Sequence, residues 1–180
     1  MSENYLQILN RINSFFFDVD GVLTDGSVTL MPGGEQVRVM NVKDGYVLQL
    51  AVKMGYNIAI ITGGKSQEVK KRLEGLGIQH VYLGASNKLE VFKEHCEIYG
   101  INPSDSLYMG DDIPDYEVMK EVGFAAAPND AAPEIKSISN YISPEKGGHG
   151  CVRDIIEKTM RVQKKWFKPE QAPNFENFTW

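Results

Sequence analysis

Two acidic segments of this sequence each follow a short apolar run. The first contains Asp18 and Asp20 directly before Gly21, and the second is Gly-Asp-Asp-Ile-Pro-Asp at residues 110–115. Residues two apart on an extended chain point to the same side, so Asp18 and Asp20 share one face. Brought together, the two segments would repel each other unless a cation neutralised them. Carboxylates of this kind favour Mg²⁺, which also binds substrate phosphate. The pattern predicts a magnesium site for a phosphorylated ligand.

A phosphate site also needs positive charge and hydrogen-bond donors. Thr62 ends a second apolar run, and Lys88 follows a third. Each residue also has a simpler interpretation: a strand-end hydroxyl, a surface lysine, or carboxylates that only cap helices and loops. The functional interpretation is favoured because all of these residues lie at or just after the ends of apolar runs.

The apolar runs predict buried strands in a doubly covered sheet. They lie at residues 15–19, 57–62, 80–83, 106–109 and 123–126. Stretches with helical periodicity separate them, and alternating strands and helices indicate an α/β fold with a parallel sheet and helices on both faces. Such sheets place their sites at the carboxyl ends of the strands. The acidic segments occupy that position.

Local signals predict where several helices begin. Asp44 is expected to cap a helix that Gly55 ends, and Asn87 with Glu90 resembles a capping box. Pro114 suits a first helical turn, and a last helix is expected over about residues 151–166. Residues 27–40 alternate around a Pro-Gly-Gly turn and predict a β-hairpin insertion, too short to be a cap domain.

Composition limits the function classes. The chain has 180 residues, a net charge of −5 and a pI near 5.3, which disfavours nucleic acid as a partner. Its apolar runs fall far short of the roughly 20 residues of a membrane span, and the amino terminus lacks a signal-peptide pattern. Cys96 and Cys151 are isolated, which is typical of bystander thiols in a cytoplasmic protein. We expect one domain at residues 1–165 and a carboxyl-terminal tail at 166–180.

Four segments in order carry a family resemblance: DVDGVLT at residues 18–24, Thr62, Lys88 and GDDIPD at 110–115. Over about residues 15–153 the sequence resembles phosphatases of the haloacid dehalogenase superfamily. The resemblance implies a Rossmann-like sheet without a cap domain, and a magnesium-dependent phosphoric monoester hydrolase.

The resemblance also implies roles for individual residues. Asp18 would be the nucleophile that forms an aspartyl-phosphate, ionised near its ordinary pKa of about 3.9. Asp20 would protonate the leaving alcohol and then activate water. Lys88, Thr62 and Gly63 would bind the phosphoryl oxygens. Mg²⁺ would be held by Asp18, the main-chain carbonyl of Asp20 and Asp111, with Asp112 and Asp115 in a supporting shell.

Within the superfamily the chain resembles the 3-deoxy-D-manno-octulosonate 8-phosphate (KDO 8-phosphate) phosphatase branch. Residues 18–26, 43–45, 86–88 and the glycine-rich loop at 147–153 carry this likeness. It implies a phosphorylated sugar acid as substrate, a role in lipopolysaccharide biosynthesis and a homotetramer assembled with help from the hairpin. The tail could cover a neighbour's site. Arg72 would bind the sugar acid, unless it is a solvated helix residue in a basic run.

One position departs from the branch. Many of its members carry a basic residue directly after the Thr-Gly pair, where this sequence has Gly64. A phosphatase for a nonulosonate (sialic-acid-like) 9-phosphate is therefore an alternative. A non-catalytic sugar-binding or scaffold relative is an alternative of another class, although it would need neither Asp18 nor Asp20. A capless phosphatase acting on proteins or nucleic acids fits the acidic charge less well.

Overall fold

A parallel sheet of six strands forms the centre of the molecule, in the strand order β5-β4-β1-β6-β7-β8. The computed structural model describes residues 4–167 and residue 178. In chain order the elements are α1 (Tyr5–Arg11), β1 (Ser14–Phe17), β2 (Thr29–Leu30), β3 (Gln36–Val37), α2 (Val42–Lys53), β4 (Asn57–Ile61), α3 (Gln67–Gly75), β5 (His80–Tyr82), α4 (Lys88–Tyr99), β6 (Ser106–Met109), α5 (Tyr116–Glu121), β7 (Phe124–Ala127), α6 (Pro133–Ile138), β8 (Tyr141–Ile142) and α7 (Cys151–Val162).

Strand β1 lies at the centre of the sheet and is buried on both faces. Phe16 pairs with Ala59 of β4 on one side and with Tyr108 of β6 on the other. Phe15 and Phe17 point into the core beneath α1, α2, α3 and α7, and Phe16 into the core beneath α4, α5 and α6. Each such phenylalanine contributes roughly 1.5–3 kcal/mol of burial free energy. The predicted α/β sheet, covered by helices on both faces, is confirmed, and the elements within residues 4–167 include no cap domain.

The predicted hairpin insertion is also confirmed. Strands β2 and β3 pair antiparallel, with Thr29 opposite Val37 and Leu30 opposite Gln36. The turn is closed by hydrogen bonds from Met31 N to Glu35 O and from Gly34 N to Met31 O. The hairpin forms its own two-stranded sheet.

The predicted cap of helix α2 was wrong. Asn41 is the cap, and its side chain accepts a hydrogen bond from Lys43 N. Asp44 lies in the first turn of the helix, is 1% exposed, and accepts a hydrogen bond from Arg153 N of α7 at 2.7 Å. It therefore joins two helices. Asn87 does cap α4, accepting from Glu90 N.

Other boundaries differ by a few residues. Helix α7 ends at Val162, short of the predicted 166, with Gln163 as its cap. Pro114 lies in a 3₁₀ turn, Ile113–Asp115, that leads into α5. Helices α1 and α6 and strand β8 were not predicted. Most of the predicted tail falls outside the described residues, but Phe178 stacks on Tyr46 of α2.

Two remaining features of the composition are seen in the structure. Cys96 and Cys151 are both buried free thiols, which agrees with the prediction of bystander cysteines. Within residues 4–167 and at residue 178, none of the helices has the length and apolarity that crossing a bilayer requires.

Candidate active site

The central strands bring both acidic segments to one edge of the sheet. Strands β1 and β6 are parallel neighbours, so Asp18 and Asp111 follow them at the same end. Asp18 N extends this pairing by donating to Met109 O at 3.2 Å. Strand β4 ends beside β1, which places Thr62 at the same edge.

Three carboxylates form the centre of the site. Asp18, Asp111 and Asp115 each present an oxygen, and these oxygens lie within 4.8 Å of one another. Asp115 is fully buried and is held on two sides: Tyr108 OH donates to its Oδ1 at 2.8 Å, and Asp111 N donates to its Oδ2 at 3.2 Å. The predicted supporting residue Asp115 thus lies directly beside the two predicted ligands.

Lys88 provides the positive charge of the cluster. It is the first residue of α4 and is 5% exposed. Its Nζ lies 2.8 Å from Asp18 Oδ2 and 2.7 Å from Asp115 Oδ1. Burial alone would lower the pKa of Lys88, but Asp115 and Asp18 raise it above the ordinary value. The lysine is therefore charged, as phosphate binding requires.

Crowding changes the acidity of the cluster. Burial, followed by the charge of Asp115, raises the pKa of Asp18 to about 6. Burial, with Asp18 and Asp115, raises the pKa of Asp111 to about 7. The pKa of Asp18 thus lies above the ordinary value of about 3.9, because desolvation disfavours the charged form, but the carboxylate is still mostly ionised at neutral pH, as the sequence predicts.

The crowded carboxylates also indicate whether the site can hold a divalent cation. Three carboxylate oxygens in one small space carry more negative charge than Lys88 offsets. Burial, together with this excess of negative charge, raises the pKa values of Asp18 and Asp111. A hard divalent cation with oxygen ligands relieves it. The donor set therefore fits Mg²⁺, with Asp18 and Asp111 as the ligands that the sequence predicts and Asp115 close enough to contribute an oxygen or to orient Lys88.

Asp20 faces away from the three carboxylates, toward the hairpin. Its Oδ1 accepts a hydrogen bond from Arg38 Nε at 2.6 Å, and its Oδ2 one from Nη2 at 3.2 Å. Asp20 and Asp18 thus have different partners, although both sit in the same short loop. Sequence reasoning did not predict Arg38 as a residue of this site.

The loop after β4 supplies neutral donors. Thr62 is 3% exposed, and its Oγ1 accepts a hydrogen bond from Gly64 N at 3.0 Å. The hydroxyl proton of Thr62 remains available to a ligand oxygen, because a hydroxyl can donate and accept at once. Gly63 and Gly64 line the adjoining pocket.

Glycines hold the first acidic loop in place. Gly21 has φ +85°, and a Cβ at this position would overlap the Asp111 carboxylate. Gly147 packs on Gly21 O so closely that a side chain there would also overlap, and Gly148 N donates to Val22 O at 2.9 Å. The glycine-rich loop therefore supports the loop that carries Asp18.

The other predicted residues lie farther out. Asp112 is exposed at the start of the 3₁₀ turn, and its charge helps to raise the pKa of Asp111. Arg72 does not approach the carboxylates. It lines a pocket of about 780 Å³ that Arg38 and Lys65 also line. Gly64, which also lines the pocket, lies beside Thr62 and Asp20, so Arg72 shares a pocket with a residue that borders the site.

Carboxylates at the ends of parallel strands, a buried lysine and a strand-end threonine define a phosphotransfer site of the haloacid dehalogenase type. The family model for haloacid dehalogenase-like hydrolases matches residues 80–155. The KDO 8-phosphate phosphatase of Escherichia coli K12 is 37% identical over 165 residues, 92% of this chain and 88% of that protein. The Yersinia pestis enzyme is 33% identical over the same length. The chain belongs to the family of 3-deoxy-D-manno-octulosonate 8-phosphate phosphatases.

Solved structures agree with this assignment. The Yersinia pestis phosphatase superposes with a TM-score of 0.87 at 34% identity, covering 89% of this chain and 86% of that one. The Moraxella catarrhalis phosphatase, in complex with magnesium ion, phosphate ion and KDO, gives a TM-score of 0.86 at 34% identity, covering 88% and 91%.

Proposed function

We propose that this protein hydrolyses KDO 8-phosphate to KDO and inorganic phosphate, with Mg²⁺ as cofactor, as a step of lipopolysaccharide biosynthesis. The observation that carries the proposal is the cluster of Asp18, Asp111 and Asp115 around Lys88 at the carboxyl end of the central strands. The relatives' names and the magnesium and KDO bound to the Moraxella catarrhalis enzyme support the choice of substrate.

Asp18 is the nucleophile in this proposal. Its carboxylate oxygen attacks phosphorus and forms an aspartyl-phosphate while the bond from phosphorus to the sugar oxygen breaks. Val19 N donates to Asp18 Oδ1 at 2.7 Å, and Lys88 holds Oδ2. Both contacts fix the carboxylate before the substrate arrives, and that preorganisation lowers the entropic cost of the attack.

Asp20 is the general acid and then the general base in this proposal. Protonated Asp20 gives its proton to the departing sugar oxygen, and the resulting carboxylate then takes a proton from the water that attacks the aspartyl-phosphate. The two steps release inorganic phosphate and restore Asp18. Asp20 suits this role because its Oδ2 lies beside Gly64, which lines the pocket where the sugar would lie, and its carboxylate is not part of the three-carboxylate cluster.

Lys88 and Thr62 bind the transferring phosphoryl group. An ammonium group has three donors, and two of those on Lys88 reach Asp18 and Asp115. The third donor and the Thr62 hydroxyl proton can both reach phosphoryl oxygens, with Gly63 alongside. Mg²⁺, held by Asp18, the Asp20 main-chain carbonyl and Asp111, supplies further charge neutralisation for the phosphoryl group.

The experiment that tests this function is phosphate release from KDO 8-phosphate with Mg²⁺, with and without a chelator. We expect activity only with Mg²⁺, and Asp18→Asn to abolish it. Asp105→Asn is the matched control, because Asp105 precedes β6 at the opposite edge of the sheet. Full activity in Asp18→Asn, or in the presence of chelator, would contradict the proposal.

A second substrate is worth testing because Gly64 leaves the pocket without a side chain at the position beside Asp20 and Arg38. A longer sugar would also fit in that space, so a nonulosonate 9-phosphate is the alternative. Side-by-side values of kcat/KM for the eight- and nine-carbon substrates decide between them. We expect the eight-carbon substrate to be preferred.

We also propose that the protein is a homotetramer in which hairpins of neighbouring copies pack together. Leu30 and Val39 of the hairpin region are 76% and 78% exposed, and Met31 and Val37 are 43% and 46% exposed. Apolar side chains grouped in this way are typical of an interface. Light scattering on Leu30→Lys with Val39→Lys tests this: we expect dissociation, and an unchanged mass would contradict it.

A further inference from the structure

The hairpin region points its apolar side chains outward and one arginine inward. Val37 and Val39 are 46% and 78% exposed, whereas the side chain of Arg38 between them is 8% exposed. A buried guanidinium costs free energy unless an anion pairs with it. Arg38 therefore requires an anionic partner, and Asp20 fills that role in this structure.

The contact between Arg38 and Asp20 is bidentate. Nε and Nη2 donate to the two Asp20 oxygens at 2.6 and 3.2 Å, and Nη1 donates to Gln36 O at 3.1 Å. Paired donors of this kind match any carboxylate in its plane, whether it belongs to a side chain or to a ligand. Arg38 is thus a carboxylate-binding group fixed beside the phosphate site.

The pocket next to this pair is large enough for a sugar. It has a volume of about 780 Å³, and Arg38, Lys65 and Arg72 are the cations that line it. A Cβ on Gly64 would lie 3.5 Å from Asp20 Oδ2 and 4.0 Å from Arg38 Nη2. Because residue 64 has no side chain, nothing from that position separates the guanidinium of Arg38 from the pocket.

We propose that Arg38 determines specificity. When the substrate binds, Arg38 releases Asp20 and binds the carboxylate of the substrate in its place. The proposal rests on the proposed function, since a phosphorylated sugar acid carries a second anion beyond its phosphate. In the exchange the buried guanidinium keeps one carboxylate partner, and Asp20 becomes free to approach the leaving oxygen. A phosphate ester without a carboxylate leaves Asp20 paired with Arg38.

Arg38→Met tests the proposal with two substrates, KDO 8-phosphate and p-nitrophenyl phosphate, at saturating Mg²⁺. We expect kcat/KM for the sugar acid to fall by about 10–100-fold, mostly through a higher KM, as on the loss of one charge-assisted pair. The value for p-nitrophenyl phosphate should not fall, because this ester offers Arg38 no carboxylate and the variant leaves Asp20 free to transfer protons. Arg38→Lys keeps the charge without the two parallel donors, so an intermediate loss is expected.

Arg161→Met is the matched control, because Arg161 pairs with Glu157 on α7 and does not line the pocket. Equal losses on both substrates in Arg38→Met would overturn the proposal, since Arg38 would then act only through Asp20. If the unchanged protein hydrolyses p-nitrophenyl phosphate but not the sugar acid, the proposed function fails, and the role of Arg38 fails with it. Retained p-nitrophenyl phosphate turnover shows that a variant is folded.

Discussion

Replacing Lys88 with methionine should cost the protein both stability and activity. Lys88, Asp18 and Asp115 have side chains that are 5%, 10% and 1% exposed, so solvent hardly screens their contacts of 2.8 and 2.7 Å. Removing one partner of a buried ion pair typically costs about 3–5 kcal/mol, because an unpaired charge remains. Methionine keeps most of the volume, so the loss measures charge and not packing.

The assay is urea unfolding at pH 8 with chelator present, so that no metal compensates for the lost lysine. With a slope of about 2 kcal/mol per molar urea, the midpoint should fall by roughly 2 M. Lys93→Met is the control on the same helix, because Lys93 is 58% exposed. Phosphate release by Lys88→Met should fall by about 10²–10³-fold, as when one preorganised donor is removed.

A double variant tests whether an unpaired buried charge causes the lost stability. Adding Asp115→Asn to Lys88→Met removes the buried charge that the lysine balanced, so much of the lost stability should return while activity stays low. If Lys88→Met unfolds at the same urea concentration as Lys93→Met, the cluster is not a buried ion pair. If the double variant is less stable than Lys88→Met, unpaired charge is not the cause.

Two further predictions follow from close packing and from burial. Gly21→Ala should lower activity by at least about 10²-fold, because its Cβ would displace the Asp111 carboxylate. Gly33→Ala is the control, since its Cβ meets nothing within 4 Å, and equal activity of the two variants would contradict the prediction. His95 lies between Tyr82 OH and Asn57 Oδ1, and burial, with His80, lowers its pKa from 6.5 to about 4. The neutral form stabilises the fold fully above pH 6.5, and about 3 kcal/mol should be lost as pH falls to about 4. Urea unfolding of the unchanged protein and of His95→Asn at several pH values isolates this loss, because the raised pKa values of Asp18 and Asp111 act on both proteins alike. The difference in stability between the two proteins should shrink by about this amount as pH falls to about 4, and a difference that does not change with pH would refute the prediction.

The sheet could be predicted because its strands are apolar on both faces. Residues 14–17 and 124–127 are buried throughout. Apart from Ser14 they are all apolar, so each strand is visible in the sequence as a short apolar run. Strand β8 has two residues, of which Ile142 is 42% exposed, and it leaves no such signal. Helix α2 was given the wrong cap because Val42 is 58% exposed, so its apolar stripe starts late.

The centre of the site could be predicted for the same reason. Parallel strands end together, so residues that follow β1, β4 and β6 must meet. Arg38 could not be predicted, because alternation along the hairpin does not say which side faces the sheet. Its valines would normally be expected to face inward, and the structure has them outward. That orientation depends on how the hairpin packs against the domain.

The glycine-rich loop has a consequence for how the protein matures during synthesis. Cys151 Sγ donates to Val22 O, a contact between residues 129 positions apart, and Gly148 N donates to the same oxygen. The ribosome therefore completes the nucleophile loop long before it makes the residues that brace it. We expect a chain truncated at Pro144 to retain Asp18, Asp20, Asp111 and Lys88 yet to release no phosphate, so that activity arises only near the end of translation; phosphate release by the truncated chain would contradict this.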